Sequence, residues 1–340
     1  MTRAVATRLL GGLGAIFGAS LVAFLFMRVL PGNPARLILG PLASQSAVTA
    51  LVQQMGLHQP LYVQYYRFME NFFSGDWGFS YSAGAPVRTE ILSRLPASLE
   101  LGFYAFIFAF VSAVICALLA TYRRGRVIDT VVRGVAFVSL GIPPFWFGLL
   151  LLIVFFEHLP IFPGPDGRLS NGVAAPPHVT GFYTVDSLLA GQWHTFGDAV
   201  WHLVLPAIAL GFAAFGYLVR LLRANLLDVA SEPYLVVVRS KGVGEWTTHE
   251  RHALPNAFLP TLTASALLFA QLLAGSVLIE TVFAWPGVGG YVVDAVLRQD
   301  YAVVQTFVLL AAFSYVAVNA FVDILYGFID PRLRHPVATA

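Results

Sequence analysis

Seven ionisable side chains crowd into one short part of the stretch YLVVVRSKGVGEWTTHERHALPNAFLP (234–260): Arg239, Lys241, Glu245, His249, Glu250, Arg251 and His252. His249 and His252, three residues apart, could share one helical face and offer two nitrogens to a metal ion or a haem. A metal needs further ligands, and a membrane haem needs paired histidines at depth. The sequence places His58, His158, His178, His194, His202 and His335 in polar stretches or at the ends of apolar ones, so a packing or interfacial role is expected for the pair. Lys241 is the only lysine, and its surroundings, RSKGVG, have the wrong order for a G-x-x-x-x-G-K-[ST] phosphate loop. The chain is therefore not expected to hydrolyse ATP itself. Ser112 and Ser314 lie in apolar segments with no base near them in sequence, which argues against a buried nucleophile–base pair. A single cysteine, Cys116, excludes a disulfide within the chain and a cysteine-built zinc site.

The elements that must carry these residues are set by composition. The chain has 340 residues, 58% of them hydrophobic and 11% charged, against about 25% charged in soluble domains; its mean hydropathy is +0.74. Six apolar segments are expected to cross a membrane as helices, near 9–30, 99–121, 132–156, 200–222, 258–282 and 303–328, since about 20 apolar residues span the hydrocarbon. The fold class is therefore all-α, a polytopic membrane protein with six transmembrane helices. Arg3 and Arg8 precede an apolar run, Leu9–Met27, longer than the roughly 7–15 residues of a signal-peptide core, so a retained first span is expected. A net charge of +2 gives no reason to expect a nucleic-acid partner.

Basic residues orient the spans, because short cytoplasmic loops are rich in arginine and lysine. TYRRGRVIDTVVR (121–133), the region holding Arg220, Arg223, Arg239, Lys241 and Arg251, and the two ends of the chain together hold thirteen of the twenty basic residues. Both termini are thus expected in the cytoplasm, with the long insertions after the first and third spans facing outward. No expected span has an ionisable residue near its centre, although Asp323 lies within the last one near its cytoplasmic end. That weakens an ion-coupled mechanism, which commonly needs such residues. Outward aromatics, Tyr65, Tyr66, Phe72, Phe73, Trp77, Phe182, Tyr183 and Trp193, fit either an interfacial belt or a protein contact.

In the charged stretch, Ser231 is expected to cap a short helix that Glu232 and Pro233 open, and Gly242 and Gly244 to stop it. A second helix through EWTTHERHALPNAFLP would lead into the fifth span. Composition alone suits such a helix–glycine–helix hook to resting on anionic lipid.

The order of residues says more. Val238-Arg239-Ser240-Lys241-Gly242 followed by RHALPNAFLP (251–260) resembles the cytoplasmic coupling loop of ABC-importer permeases. LPGNPA (30–35), GLHQPLYVQYYRFMENFFSGDWGFSY (56–81), RLPASLEL (94–101), LGIPPFWFGLLL (140–151), IETVFAWPGVGGYVVDAVLRQDY (279–301) and NAFVDILYGFIDPRLR (319–334) follow in the order of the dipeptide/oligopeptide/nickel branch. The chain departs from the family pattern where Val238 and Ser240 stand in the A-R-A-K-G run and where Pro233 replaces the acidic residue usual before the tyrosine.

The resemblance implies the architecture of a type I ABC importer permease in the bacterial inner membrane. Residues 1–98 would form the first helix and an outward-facing region. Residues 99–335 would form a five-helix core with an outward insertion at 157–199 and a cytoplasmic coupling loop at 228–257. It implies a second homologous permease subunit, two ATP-binding cassette subunits (or one fused), an extracytoplasmic substrate-binding protein and the lipid bilayer as partners, with ATP and Mg held by the ATPases and no cofactor by this chain. Tyr234, Arg239, Ser240, Lys241, Gly242, Gly244 and Glu245 would form the ATPase-coupling surface. Glu280 and Asp323 are the candidates for a pathway or gate; at Glu280, capping and a cation site for a peptide amine both remain open. The implied cargo is a di- or oligopeptide, with a nickel or metal-chelate importer as the alternative and an ion-coupled transporter behind both.

Overall fold

The fold is taken from a computed structural model. It describes residues 14, 16–25, 39, 42–54, 56–274 and 276–329, with side chains at all of these except 51, 263, 274, 315 and 318–329. By contacts the chain divides into two compact units, Met1–Leu95 with Gly290–Ala340, and Pro96–Gly289.

In the first unit, helices α1 (Ile16–Leu25), α2 (Gln45–Gln54) and α3 (Leu61–Ser74) precede a small antiparallel hairpin, β1 (Phe79–Ser80) with β2 (Ala85–Pro86), in which Phe79 faces Pro86. Tyr65 is drawn inward, its hydroxyl 2.7 Å from Ser20 Oγ and its ring edge-on to Phe24. Tyr66 and Phe73 stay exposed. Asp300 is buried and ties the hairpin to its own loop: its Oδ2 accepts from Ser80 Oγ (2.7 Å), Ser82 Oγ (2.8 Å) and Ser82 N (3.0 Å).

The second unit is built around long helices. Two are long and apolar enough to cross a membrane unbroken, α4 (Val87–Tyr122) and, further along, Trp193–Ala230. On α4 the residues Ala97, Leu101, Ala105, Ala109, Ala113 and Ala117 recur every fourth position and are all buried. Another four-residue stripe, Phe103, Ile107, Val111, Ile115 and Leu119, is exposed. Small residues let helices approach closely where no water drives them together, and a wholly apolar outer face is stable against lipid but not against water.

The expected span at 132–156 is not one helix. It is α5 (Val127–Gly141), then α6 (Pro144–Leu152) running into a π turn, Ile153–His158, and the two arms are bent by 110°. The cause is Ile142-Pro143-Pro144. A residue before proline is pushed out of the helical region, and Ile142 is extended at φ −97°, ψ 125°. Pro143 is extended too, and Pro144 opens the next helix at a position where its missing N–H costs nothing.

After α7 (Tyr183–Leu189) comes α8, the 38-residue helix Trp193–Ala230. At 1.5 Å per residue it is about 57 Å long, well beyond the roughly 30 Å of hydrocarbon. Buried along most of its apolar length, α8 packs against its neighbours through glycines. A Cβ at Gly216 would collide with Ser139 Oγ and lie 2.7 Å from the Ala136 carbonyl on α5, and one at Gly211 would strike the Ala105 carbonyl on α4.

The fifth expected span falls on α11 (Leu254–Ala274) and α12 (Val277–Val282), after α9 (Pro233–Ser240) and α10 (Glu245–Thr247). Beyond these lie α13 (Val288–Leu297) and α14 (Tyr301–Ile329), which contains the last expected span. Of the first expected span, only residue 14 and 16–25 are among those described.

Candidate functional site

The charged stretch begins where α8 ends. Ser231 does not cap the following helix as expected; it closes α8, with its Oγ donating to the Asp228 carbonyl at 2.6 Å. Pro233 explains the shift: it forces Glu232 into an extended conformation (φ −68°, ψ 140°), so α9 starts at Pro233 with Glu232 in the capping position and no side-chain cap.

α9 has two distinct faces. Leu235 is fully buried against Leu118, Leu222, Leu226, Ala253 and Ala257. Tyr234 fixes the same helix to the start of α11: its hydroxyl donates to the His252 carbonyl (3.0 Å) and accepts from Asn256 Nδ2 (2.7 Å). Val236 and Val237 are 59% and 53% exposed, so two valines project away from the cluster that anchors their own helix. Ser240 Oγ turns back to the Val237 carbonyl at 2.8 Å.

The helix stops as expected. Gly242 has φ +80°, which L side chains rarely adopt, and its N–H reaches the Arg239 carbonyl at 2.9 Å. Gly244 is different: its φ −62° and ψ 148° suit any residue. A Cβ on either would meet nothing within 4 Å among the described residues. Across this open turn Arg239 Nε bonds Glu245 Oε1 at 3.0 Å, and Arg239 Nη1 lies 3.4 Å from the Ala230 carbonyl. Both partners are partly exposed, and such rim pairs are worth less than about 1 kcal/mol. Lys241 is exposed.

The second arm is helical but underwound. α10 passes into a π turn, Thr248–Ala253, before α11. Pro255 lacks the N–H that would bond the Arg251 carbonyl, and a π turn just ahead of it accommodates the missing bond. His249 is buried, with Nδ1 2.8 Å from the Glu245 carbonyl. Among the described residues, no group of three or more His, Cys, Asp or Glu side chains could hold a metal ion.

Glu280, the other sequence candidate, is 1% exposed. Its Oε1 accepts from Ser98 Oγ (2.7 Å) and Ser276 Oγ (2.6 Å), and Ser98 Oγ also accepts from the Val288 N–H at 2.9 Å. Any Cβ on Gly287 would collide with the Glu280 carboxyl, so the IETVFAWPGVGG turn closes around this one side chain. The side chain of Asp323 lies outside the described residues.

Two buried ion pairs escaped sequence reasoning. Arg223 makes a two-pronged contact with Asp129, Nε to Oδ1 at 2.8 Å and Nη2 to Oδ2 at 3.0 Å, bridging α8 and α5. Arg168 pairs with Glu100. Glu100 is visible in the sequence as a lone charge beside an apolar run and Asp129 as the one acid of an arginine-rich loop, and such charges are rarely buried without a partner, but the partners lie 68 and 94 residues away.

Membrane-length helices with an alanine-lined interior and an apolar exterior, carrying an exposed charged loop, define a polytopic membrane protein. The chain belongs to the family of binding-protein-dependent transport system inner membrane components, whose model matches residues 109–335; the model of the N-terminal part of such membrane components matches residues 1–102. It is similar to the probable D,D-dipeptide transport system permease protein DdpB of Escherichia coli K12, 42% identical over 94% of this chain and 93% of the relative. It is also similar to the dipeptide transport system permease protein DppB of Alkalihalophilus pseudofirmus, 35% identical over 96% and 98%. The glutathione transport system permease protein GsiC of Escherichia coli K12 is 35% identical over 98% and 100%. The chain is thus an inner-membrane permease subunit of an ABC importer, working with ATPase and substrate-binding partners, and is not itself an enzyme.

Proposed function

We propose that this permease carries di- or oligopeptides inward, forming half of the pathway, and that 228–257 is the loop through which ATP-driven movement reaches it. Six spans with both termini in the cytoplasm, in the type I importer architecture, fit the charge distribution and leave that loop on the ATPase side. A second homologous permease would complete the pathway, and two ATP-binding cassette subunits, or one fused, would bind ATP and Mg. An extracytoplasmic protein would deliver the peptide.

The observation that carries the coupling role is the build of α9 and its turn. Leu235 and Tyr234 hold the helix rigidly to this chain, while Val236, Val237 and the open glycines 242 and 244 face outward. A lever needs both properties, a firm root and a smooth exposed contact surface. Fully desolvated apolar contacts dominate interfaces over rim charges, so the valines and the glycine turn would contribute more than Arg239, Lys241 or Glu245. Ser240 would seat the end of α9. The bonds from Ser98 and Ser276 to Glu280 support a structural latch that shapes the pathway from behind, in preference to a site for the peptide amine; Asp323 keeps its place as a gate candidate.

Relatives named for D,D-dipeptides, dipeptides and glutathione support peptide cargo, and the nickel alternative is not favoured. The test is uptake of a labelled dipeptide into vesicles holding the complete transporter, with nickel run in parallel. Peptide flux that needs ATP is expected. Saturable nickel flux without peptide flux would overturn the cargo, and flux that persists without the ATPases would overturn the coupling.

A further inference from the structure

Behind the coupling loop lies a cleft of about 570 Å³, bounded on one side by the turn after α4 and on the other by α8 and the start of α10. Its charge is one-sided. Arg123, Arg124, Arg126 and Arg239 line it, and Glu245 is the one carboxylate among the lining residues. Glu245 is already engaged by Arg239 at 3.0 Å. Of the acids that flank the lining residues, Asp228 and Glu232 are exposed and do not line the cleft, while Asp129 accepts from the Gly125 N–H at 3.0 Å and is bridged by Arg223. Arg123, Arg124 and Arg126, close together on one tight turn, thus line the space with no carboxylate partner among the described residues.

The remaining wall groups add nothing that would repel an anion strongly. Thr121 Oγ1 is committed to the Ala117 carbonyl and Ser231 Oγ to the Asp228 carbonyl. His249 Nδ1 lies against the Glu245 carbonyl and 3.7 Å from its carboxylate. Tyr122 forms an aromatic corner, with Trp246 edge-on to it at 5.4 Å and Arg123 lying over its ring at 5.1 Å. Aromatic side chains with one apolar and one polar end favour the headgroup level of a bilayer, and guanidinium forks match phosphate oxygens in pairs.

We propose that this cleft binds a phosphate-bearing anion, of the kind that an acidic phospholipid presents at the cytoplasmic surface. A headgroup seated between the Arg123–Arg126 turn and Arg239 would hold the root of the coupling loop to α4 and α8, so that acidic lipid content tunes how firmly the loop transmits movement. The site stands whatever the cargo, and it uses the orientation argued above only to place the anion in the inner leaflet.

The complete transporter, purified and titrated with phosphatidylglycerol, is read by native mass spectrometry for lipid retained on this subunit. In the Arg124→Gln/Arg126→Gln pair, retention at the tightest site is expected to weaken roughly tenfold or more, each arginine near a charged surface being worth about one order-of-magnitude step or a little less. Lys241→Gln, outside the cleft, is expected to retain lipid as the unaltered protein does. Inorganic phosphate titrated in place of lipid separates the sources: displacement of phosphatidylglycerol by phosphate at comparable concentration would assign the site to a soluble phosphate. If the paired variant fails to assemble, Arg124→Gln alone is read for a smaller loss in the same direction. Equal retention by variant and unaltered protein, with no phosphate binding, overturns the proposal; so does altered ATPase stimulation with lipid retention unchanged, which would give the cleft to the ATPase partner.

Discussion

Arg168 and Glu100 form an ion pair from which water is almost excluded, with side chains 8% and 1% exposed. Glu100 sits on α4, and its other oxygen accepts from the Thr184 N–H (2.9 Å) and hydroxyl (2.7 Å) at the start of α7. Arg168 donates to the Gly181 carbonyl at 2.8 Å, and its guanidinium carbon lies over Tyr183, 3.5 Å from the ring centre. One carboxylate thus ties two parts of the 157–199 insertion, at Arg168 and at Thr184, to a transmembrane helix.

Removing one member should be costly. Arg168→Met would leave Glu100 buried without its cation, and breaking such pairs typically costs about 3–5 kcal/mol. The expected result is a clear fall in the melting temperature of the purified complex. Adding Glu100→Gln to Arg168→Met should recover part of it, because the stranded charge is then gone. A double variant no more stable than Arg168→Met would show that the loss lies in packing against Tyr183.

The glycines of α8 predict a different failure. Gly216→Leu places a branched side chain where Ser139 and the Ala136 carbonyl already stand, and backbone cannot yield as a flexible side chain can. Overpacking costs about 1–3 kcal/mol even in forgiving cores. The yield of folded, monodisperse protein should fall sharply, whereas Gly197→Leu, with no atom within 4 Å of a Cβ at that site, should express normally.

Much of this was legible in the sequence, and the limits are physical. Apolar run length placed α4 and α8, and Gly242 marked the end of α9, because both signals are local. The break at Ile142-Pro143-Pro144 was also local, but it was masked by an apolar run that reads the same whether straight or bent by 110°. Ser231 was misplaced as a cap because a long helix and a short one compete for it, and only the reach of α8 to Ala230 decides. The partners of Glu100 and Asp129 could not be read, since no periodicity links residues 68 or 94 positions apart.

Asp186 predicts a pH dependence. It is buried in the insertion, and burial by itself would push its carboxyl up. The Thr180 hydroxyl (2.7 Å) and the N–H groups of Thr180, Gly181 and Val179 (2.8, 2.8 and 3.2 Å) more than offset this and hold it below its ordinary value. A depressed folded value means the stabilisation is complete above the unfolded carboxylate value of about 3.9 and is lost as pH falls through the folded one. Asp186→Asn should therefore cost on the order of 2 kcal/mol of stability at neutral pH, read as a lower melting temperature. The gap between variant and unaltered protein should close in acid. A gap independent of pH would mean that shape, not charge, matters at this position.

The sharpest test of the coupling loop is Gly244, not Gly242. A tryptophan at 242 would strain the backbone at φ +80° by about 1–2 kcal/mol, so a defect there could come from the loop's own distortion. At Gly244 the backbone suits any residue and a Cβ meets nothing within 4 Å among the described residues. Gly244→Trp should therefore leave the melting temperature of the isolated subunit unchanged. If the turn seats in a groove on the ATPase, the indole must hold the two surfaces apart, and ATP-dependent uptake should drop at least about tenfold, the equivalent of losing one modest contact. Unimpaired uptake by Gly244→Trp would remove the turn from the contact surface and leave Val236 and Val237 as the face to test.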